Sequence, residues 1–269
     1  MLVNLGCGNR YHSSWKNIDF IKSGPTVIQH DLSKGIPLVD SSANVVYHSH
    51  ILEHFSKEAG AAFLRDCFRI LKPGGILRVV VPDLEMIISE YGKQMDLARK
   101  GDSDAANRYQ WILLELFDQV ARNRSGGEML DYWKQKNIPA EAYLIERLGA
   151  EVKQFLDKIR SSDFVNVRIL MPFYFRILRK LKSFFLNCLG YSLEMAEIGK
   201  FRLSGEIHYW MYDEYSLKDA LLQTGFVNPQ KRNANESNIE NFNDYLLDIE
   251  ADGSVRKPDS LFVEARKPL

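Results

Sequence analysis

Short apolar runs broken by glycine or aspartate dominate the first 85 residues. "MLVNL" stops at "GCG", "WKNIDF" and "TVIQHDL" each end on or near an aspartate, "NVVYHS" is a fourth run, and the β-branched "ILRVVVP" follows "KPGG". Runs of this length, bounded by turn residues, read as strands. Between the fourth and fifth, Phe63, Leu64, Cys67, Phe68 and Leu71 recur on one face of a helix over 56–72. Strand and helix signals in alternation predict an α/β fold built on a parallel, doubly wound sheet. From 86 to 204 the strand signal disappears. Helical periodicities run through Leu84, Ile87, Ile88 and Tyr91, then Tyr109, Leu113, Leu116 and Val120, then Leu144, Leu148, Val152, Phe155 and Ile159. This stretch is expected to form a helical insertion after strand five, packed as a lid and supplying the acceptor pocket.

Composition narrows the class. With 269 residues and 45% hydrophobic content, the chain can bury one large α/β core or a core carrying an insertion. Lys+Arg and Asp+Glu both number 35, so no global field favours nucleic acid, and a charged partner must be met locally. The three cysteines lack metal-type spacing and fit a reducing, cytoplasmic setting. The N-terminus enters a strand pattern directly, so no signal peptide is expected, and no uncharged apolar run reaches the ~18 residues of a membrane span.

In doubly wound sheets, ligands sit beyond the carboxyl ends of the strands, where Gly6, Gly8, Asp19, Asp31 and His48 fall. Glycines let the backbone turn sharply and approach a ligand closely. A carboxylate at the end of the second strand can accept two hydrogen bonds from a ribose diol, and Asp31 can accept one from an adenine amine.

The order of these pieces resembles the class I S-adenosylmethionine-dependent methyltransferases, and among them the type 11 group. The resemblance rests on "VNLGCG" as the glycine motif, "NIDF" for the ribose acid, "HDL" for the adenine acid, "NVVYHSHILEHF" after strand four and "FRILKPGGILRVVVPD" around strand five. Later matches are "YSLKDALLQTGFV", a helix leading to a sixth strand, and "SLFVEARKPL", a closing strand, with the polar stretch 233–258 as crossover. It implies a seven-stranded Rossmann-like sheet with the last strand antiparallel, a core of 1–85 and 205–269, and the helical insertion at 86–204. It also implies S-adenosylmethionine as cofactor, with contacts at Asn4, Gly6, Cys7, Gly8, Arg10, Tyr11, Asp19, Phe20, Asp31, Leu32, His48 and Ser49.

Two departures matter. The family's usual acid at the start of the glycine motif is Asn4 here, and its third glycine position is Arg10. A dinucleotide site would need the full glycine fingerprint opening a long helix, whereas only ten residues separate Gly8 from Asp19. The first helix shrinks to a turn, and Arg10 or Tyr11 is expected to meet the methionine carboxylate.

On the acceptor side, "SGEIHYWMYDEYSL" crowds Glu206, His208, Trp210, Tyr212 and Asp213 into a loop ahead of a helix capped by the Ser216–Asp219 pattern. His208 is the preferred general base, Glu206 or Asp213 would orient its ring, and His50 would line the pocket. His50 and His54 lie four apart, but Glu53 directly precedes His54 instead of following an H-E-x-x-H order. With no third ligand evident, no metal is expected. Residues 167–193 interleave aromatics with Arg168, Arg176, Arg179, Lys180 and Lys182, suited to peripheral contact with an anionic membrane or a lipid-linked substrate, or to an ordinary lid helix with a solvated basic face.

These features favour O-methylation of a glycan, glycolipid or other small acceptor. N-methylation of a small molecule, a NAD or nucleotide-sugar oxidoreductase, and a non-catalytic S-adenosylmethionine-binding partner protein are the alternatives. Nucleic-acid modification is disfavoured, since base-flipping residues are missing where "HSHI" stands.

Overall fold

The computed structural model describes residues 1–161, 182–183 and 188–269. Seven strands, β1 (Leu2–Leu5), β2 (Lys16–Asp19), β3 (Val27–Gln29), β4 (Ala43–Ser49), β5 (Leu71–Pro82), β6 (Val227–Arg232) and β7 (Ser260–Arg266), form one sheet in the order β3-β2-β1-β4-β5-β7-β6. The first five run parallel, while β7 is antiparallel to both β5 and β6. This is the seven-stranded arrangement the sequence led us to expect. "KPGG" bulges out of the ladder, because Leu71 pairs with Ala43 whereas Ile76 pairs with Val45. Since β7 runs backwards, its first residues lie at the same sheet edge as the last residues of β1, β2 and β4.

Eight helices are described: α1 (Lys57–Ile70), α2 (Leu84–Arg99), α3 (Ser103–Ala121), α4 (Gly127–Trp133), α5 (Glu141–Leu148), α6 (Ala150–Arg160), α7 (Leu193–Arg202) and α8 (Glu214–Thr224). Ser56 caps α1 by accepting from Ala59 N, and the helix buries Phe63, Leu64, Cys67 and Ile70. Together with Leu217 and Leu221 of α8, these side chains cover one sheet face, against Val3, Leu5, Ile18, Val46 and Leu77.

The opposite face is covered differently. No helix joins β1 to β2 or β2 to β3, and Val45, Tyr47, Ile76, Val80 and Phe262 are instead packed by Trp15 and by Ala234, Ile239, Phe242, Leu247 and Ile249 of a mostly irregular segment. Irregular backbone placed against a core must find partners for its carbonyls. Arg78, in the middle of β5 and fully buried, supplies them: its guanidinium donates to the carbonyls of Asn233, Ala234 and Glu236 at 2.9–3.2 Å. It also donates to Asp248 Oδ2 and Glu264 Oε1, each at 2.8 Å. Tyr47 Oη donates to the other Asp248 oxygen at 2.6 Å, and the guanidinium lies over the Phe242 ring, 4.6 Å from its centroid.

Helices α2–α6 follow β5 directly, with Asp83 and Asp102 capping α2 and α3. They bury Ile87, Trp111, Ile112, Met129, Tyr132 and Leu144 and two ion pairs, Glu115–Arg147 at 2.7 Å and Asp118–Arg122 at 2.6 Å. Most of the basic segment 167–193 falls outside the described residues. Among those described, no helix is long and apolar enough to cross a membrane.

Removing one partner from a buried ion network leaves the others uncompensated, typically at ~3–5 kcal/mol. Arg78→Ala strands two carboxylates and three carbonyls. We expect a loss of about that size, read as a lower urea midpoint with an unchanged slope for the surviving transition.

Candidate active site

The glycine turn is built at the end of β1. Gly6 and Gly8 have φ of +62° and +51°, a region that suits glycine, and Gly6 N donates to Ile18 O at 2.7 Å. A Cβ on Gly6 would run into Ile51, whereas among the described residues, chain neighbours apart, no atom lies within 4 Å of a Cβ built on Gly8. The space in front of Gly8 is open to a ligand. Asp19 closes the turn from β2: Oδ2 accepts from Gly8 N and Oδ1 from Ile21 N, both at 2.8 Å. Each oxygen keeps a further acceptor site. Phe20 and Ile21 beside it are 64% and 67% exposed, an apolar surface next to the acid. Asp31 caps the short 3-10 turn Leu32–Lys34, and its hydrogen bonds to Ser33 hold its carboxyl below the usual range. Leu32 is half-buried beside it. Cys7 is buried and its thiol is pushed up to about 12 by that burial, so it stays protonated. Tyr11 packs its hydroxyl end over Gly24.

Three cofactor expectations need correction or sharpening. Arg10 is not free to meet a carboxylate of a ligand: its Nε donates to Leu246 O at 2.6 Å and its Nη2 to Ile249 O at 2.9 Å and Glu250 at 3.0 Å. It ties the glycine loop to the irregular cover. His48 is fully buried, its ring 5.1 Å from that of Phe63, so only its main chain borders the site. Burial holds it to about 3, a neutral imidazole. Ser49 is half-buried at the very end of β4. Asn4 takes on a structural task, donating from Nδ2 to Arg10 O at 3.1 Å and to Asn17 Oδ1 at 3.2 Å. Asn17, which the motif search passed over, donates in turn to the carbonyls of His12 and Trp15. Two amides thus shape a loop for which no helix is available.

The acceptor side is organised by the loop after α7. Tyr209 N and Trp210 N both donate to Glu53 O, at 2.8 and 3.2 Å, and His208 N donates to Gln119 O at 3.0 Å. The loop is therefore fastened to the sheet edge on one side and to α3 on the other. His208 is 3% exposed and burial holds it to about 3. Its ring meets that of His54 edge-on, with centroids 4.9 Å apart. The expected orienting acids are elsewhere. Glu206 accepts from Arg122 at 3.0 Å and from Gly126 N at 2.8 Å. Asp213 caps α8 in a capping box with Ser216, so that helix begins earlier than the Ser216–Asp219 pattern suggested. Beside His208 Nε2, at 3.2 Å, stands the side chain of Gln119.

His50 follows β4 with a strained φ of +55°, which turns its ring so that Nε2 lies 2.9 Å from Ser260 Oγ. His50 and His208 line a cavity of about 190 Å³ between the sheet edge and α2–α6, shared with Glu115, Gln119, Lys257 and Asp259. Asp259 escaped the motif search because it precedes a strand. The antiparallel sense of β7 is what brings it to the ligand edge, and that sense was the available signal. Burial, reinforced by the charge of Glu115, pushes Asp259 up to about 6, and burial pushes Glu53 up to about 8.

Residues 4–79 match the family model of a methyltransferase domain. A Mycolicibacterium smegmatis protein described as a probable S-adenosylmethionine-dependent methyltransferase is 38% identical over 56 residues, 21% of this chain and 21% of that protein. The chain therefore spans about a fifth of the length of the curated relative it matches. Among solved structures, an S-adenosylmethionine-dependent methyltransferase from Mesorhizobium loti is 14% identical, with 99% of this chain and 90% of that one covered at a TM-score of 0.39. One from Archaeoglobus fulgidus is 12% identical, with 99% and 85% covered at 0.37. At such scores the fold assignment rests on the strand order itself. That order, with a glycine turn clamped by a strand-end acid, is the arrangement implied by the resemblance to class I S-adenosylmethionine-dependent methyltransferases. The match to that methyltransferase-domain model runs over residues 4–79, from β1 into β5.

Two expectations follow. Asn4→Asp would restore the family's acid but set a carboxylate against two acceptor oxygens, so a loss of ~1–3 kcal/mol in denaturant titration is expected. For Asp259 the folded pKa lies above its ordinary value. The associated stability is present below about pH 4 and lost as pH rises through about 6. Asp259→Asn should gain up to about 3 kcal/mol over wild type at pH 7 and converge with it near pH 4 in paired urea titrations.

Proposed function

We propose that the protein transfers the methyl group of S-adenosylmethionine to an oxygen of a small polar acceptor, a sugar hydroxyl of a glycan or glycolipid being favoured. The observation that carries this reading is the juxtaposition, along one sheet edge, of the Asp19-clamped glycine turn and the cleft reached by His50 and His208. S-adenosylmethionine supplies an electrophilic methyl on a sulfonium when bound. Asp19 has acceptor capacity left for a ribose diol and Asp31 for an adenine amine, and exposed Phe20 and Ile21 offer a surface for the base. A cavity of about 190 Å³ is below the ~300–1,000 Å³ typical of whole-ligand pockets. It suits the reacting end of an acceptor, with the remainder outside.

In that cavity the protein's contribution is alignment of an acceptor oxygen for in-line displacement and acceptance of its proton. The carbon–oxygen bond forms as the carbon–sulfur bond breaks, and the hydroxyl proton passes to the neutral imidazole of His208 or His50. An imidazole held well below its ordinary pKa is a poor resting base, so the proton would move late, as the oxygen acquires the methyl group. Glu115, Lys257 and Asp259 supply polar partners for a polyhydroxylated ring.

Calorimetry with S-adenosylmethionine and its demethylated product should give one saturable site, with no heat from NAD. Asp19→Ala should weaken it at least tenfold while leaving the thermal midpoint within a few degrees. Labelled-methyl assays across sugar, phenol and amine acceptors then separate O- from N-transfer. Absence of cofactor heat in the folded protein would overturn the reading, and cofactor binding without transfer to any acceptor would favour a non-catalytic binding protein. Liposome flotation with and without anionic lipid addresses the 167–193 segment.

A further inference from the structure

Two remote parts of the chain bring metal-ligating side chains together beside the cavity. Glu53 and His54 sit on the short 3-10 turn after β4, and His208 arrives on the loop before α8. One ligand atom from each lies within 4.8 Å of the other two. The third ligand absent from the local "HSHILEH" pattern is thus provided by tertiary structure.

We propose that Glu53, His54 and His208 form a binding site for a borderline divalent cation of the zinc type. Two imidazoles and a carboxylate are a donor set such cations favour, and a site with three protein ligands leaves a position for water or an acceptor oxygen. Several features point the same way. Glu53 is completely buried and, among the described residues, neither carboxylate oxygen accepts a well-formed hydrogen bond, the His50 ring being its one charged-pair contact. An unpartnered polar group in such surroundings is costly, and a cation removes that cost. His54 Nδ1 donates to Ile207 O at 3.0 Å, which fixes the tautomer and leaves Nε2 with its lone pair, as a metal-ligating histidine usually donates its other ring N–H to a carbonyl. His208 Nδ1 is buried without a partner, while its Nε2 faces the Gln119 amide at 3.2 Å. Half a turn of that amide lets its oxygen accept from Nε2–H, freeing Nδ1 for the metal. His50 Nδ1 stands 3.3 Å from Glu53 Oε1, placed to orient the carboxylate.

Bonds of ~2.0–2.2 Å in a tetrahedral site set ligand atoms about 3.4 Å apart. Occupancy therefore draws the three side chains inward by about an ångström, while the main-chain bonds from Tyr209 and Trp210 to Glu53 O hold their supports in place. Cation binding stands on these residues alone and does not depend on methyl transfer; with His208 ligated, the acceptor proton falls to His50, the other imidazole of the cavity.

The test uses the full chain, stripped with chelator and titrated with Zn2+ in the absence of S-adenosylmethionine. Elemental analysis should give one zinc per chain, and the ring nitrogens of His54 and His208 should shift in long-range 1H–15N spectra of the wild type. Co2+ in place of Zn2+ should show the intense visible bands of a four- or five-coordinate ion. His208→Gln and Glu53→Gln should each weaken binding more than about tenfold, and Gln119→Leu, outside the ligand set, by about tenfold. Shifts confined to His12 and His30, or Zn2+ affinity unchanged in a folded Glu53→Gln/His208→Gln protein, would overturn the proposal. The wild-type spectra decide the matter even where a variant fails to fold.

Discussion

A sheet needs both faces covered, and this chain has helices placed to cover only one of them between its first strands. The structural problem is met by Arg78. Its five N–H groups are matched to three carbonyls and two carboxylates of the segment and strand that lie over it. Burying a guanidinium is costly by itself. Here the cost is offset because the same contacts satisfy backbone groups that a helix would have satisfied internally. The cover in turn carries the glycine loop, since Arg10 reaches across to the carbonyls of Leu246 and Ile249. Two arginines therefore support the ligand edge through main-chain oxygens, where related topologies would use helix packing.

Much of this architecture was legible in advance. The period of apolar residues located the strands and α1, and the short gap between Gly8 and Asp19 correctly excluded a helix. The position of Asp19 at a strand end beside the glycine turn was readable because both lie close together in the chain. What escaped were roles set by distant partners. Arg10 looked like a ligand contact because its receptors, Leu246 and Ile249, lie more than 230 residues away. Asp213 and Glu206 looked like catalytic helpers because they flank His208 in sequence. Other partners claim them instead: Asp213 is absorbed by a helix cap and Glu206 by Arg122. Asn17 and Gln119 carry no motif at all, yet one shapes the cofactor loop and the other sits against the buried imidazole.

The ligand edge divides into two chemically distinct halves. Around Gly8, Asp19 and Asp31, the open space before Gly8 and half-exposed carboxylates form an accessible surface. Around Glu53, His50, His54 and His208, water is largely excluded, and burial keeps imidazoles neutral and a carboxyl protonated near neutral pH.

The loop carrying His208 is fastened to Glu53 on one layer and to Gln119 on another. A strap riveted at both ends cannot act as a free hinge. Any slide of α3 against the end of β4 must either break those main-chain bonds or carry the imidazole along with it. Docking of the helical layer and assembly of the histidine cluster are in that sense a single event, so loosening one would be felt at once in the other.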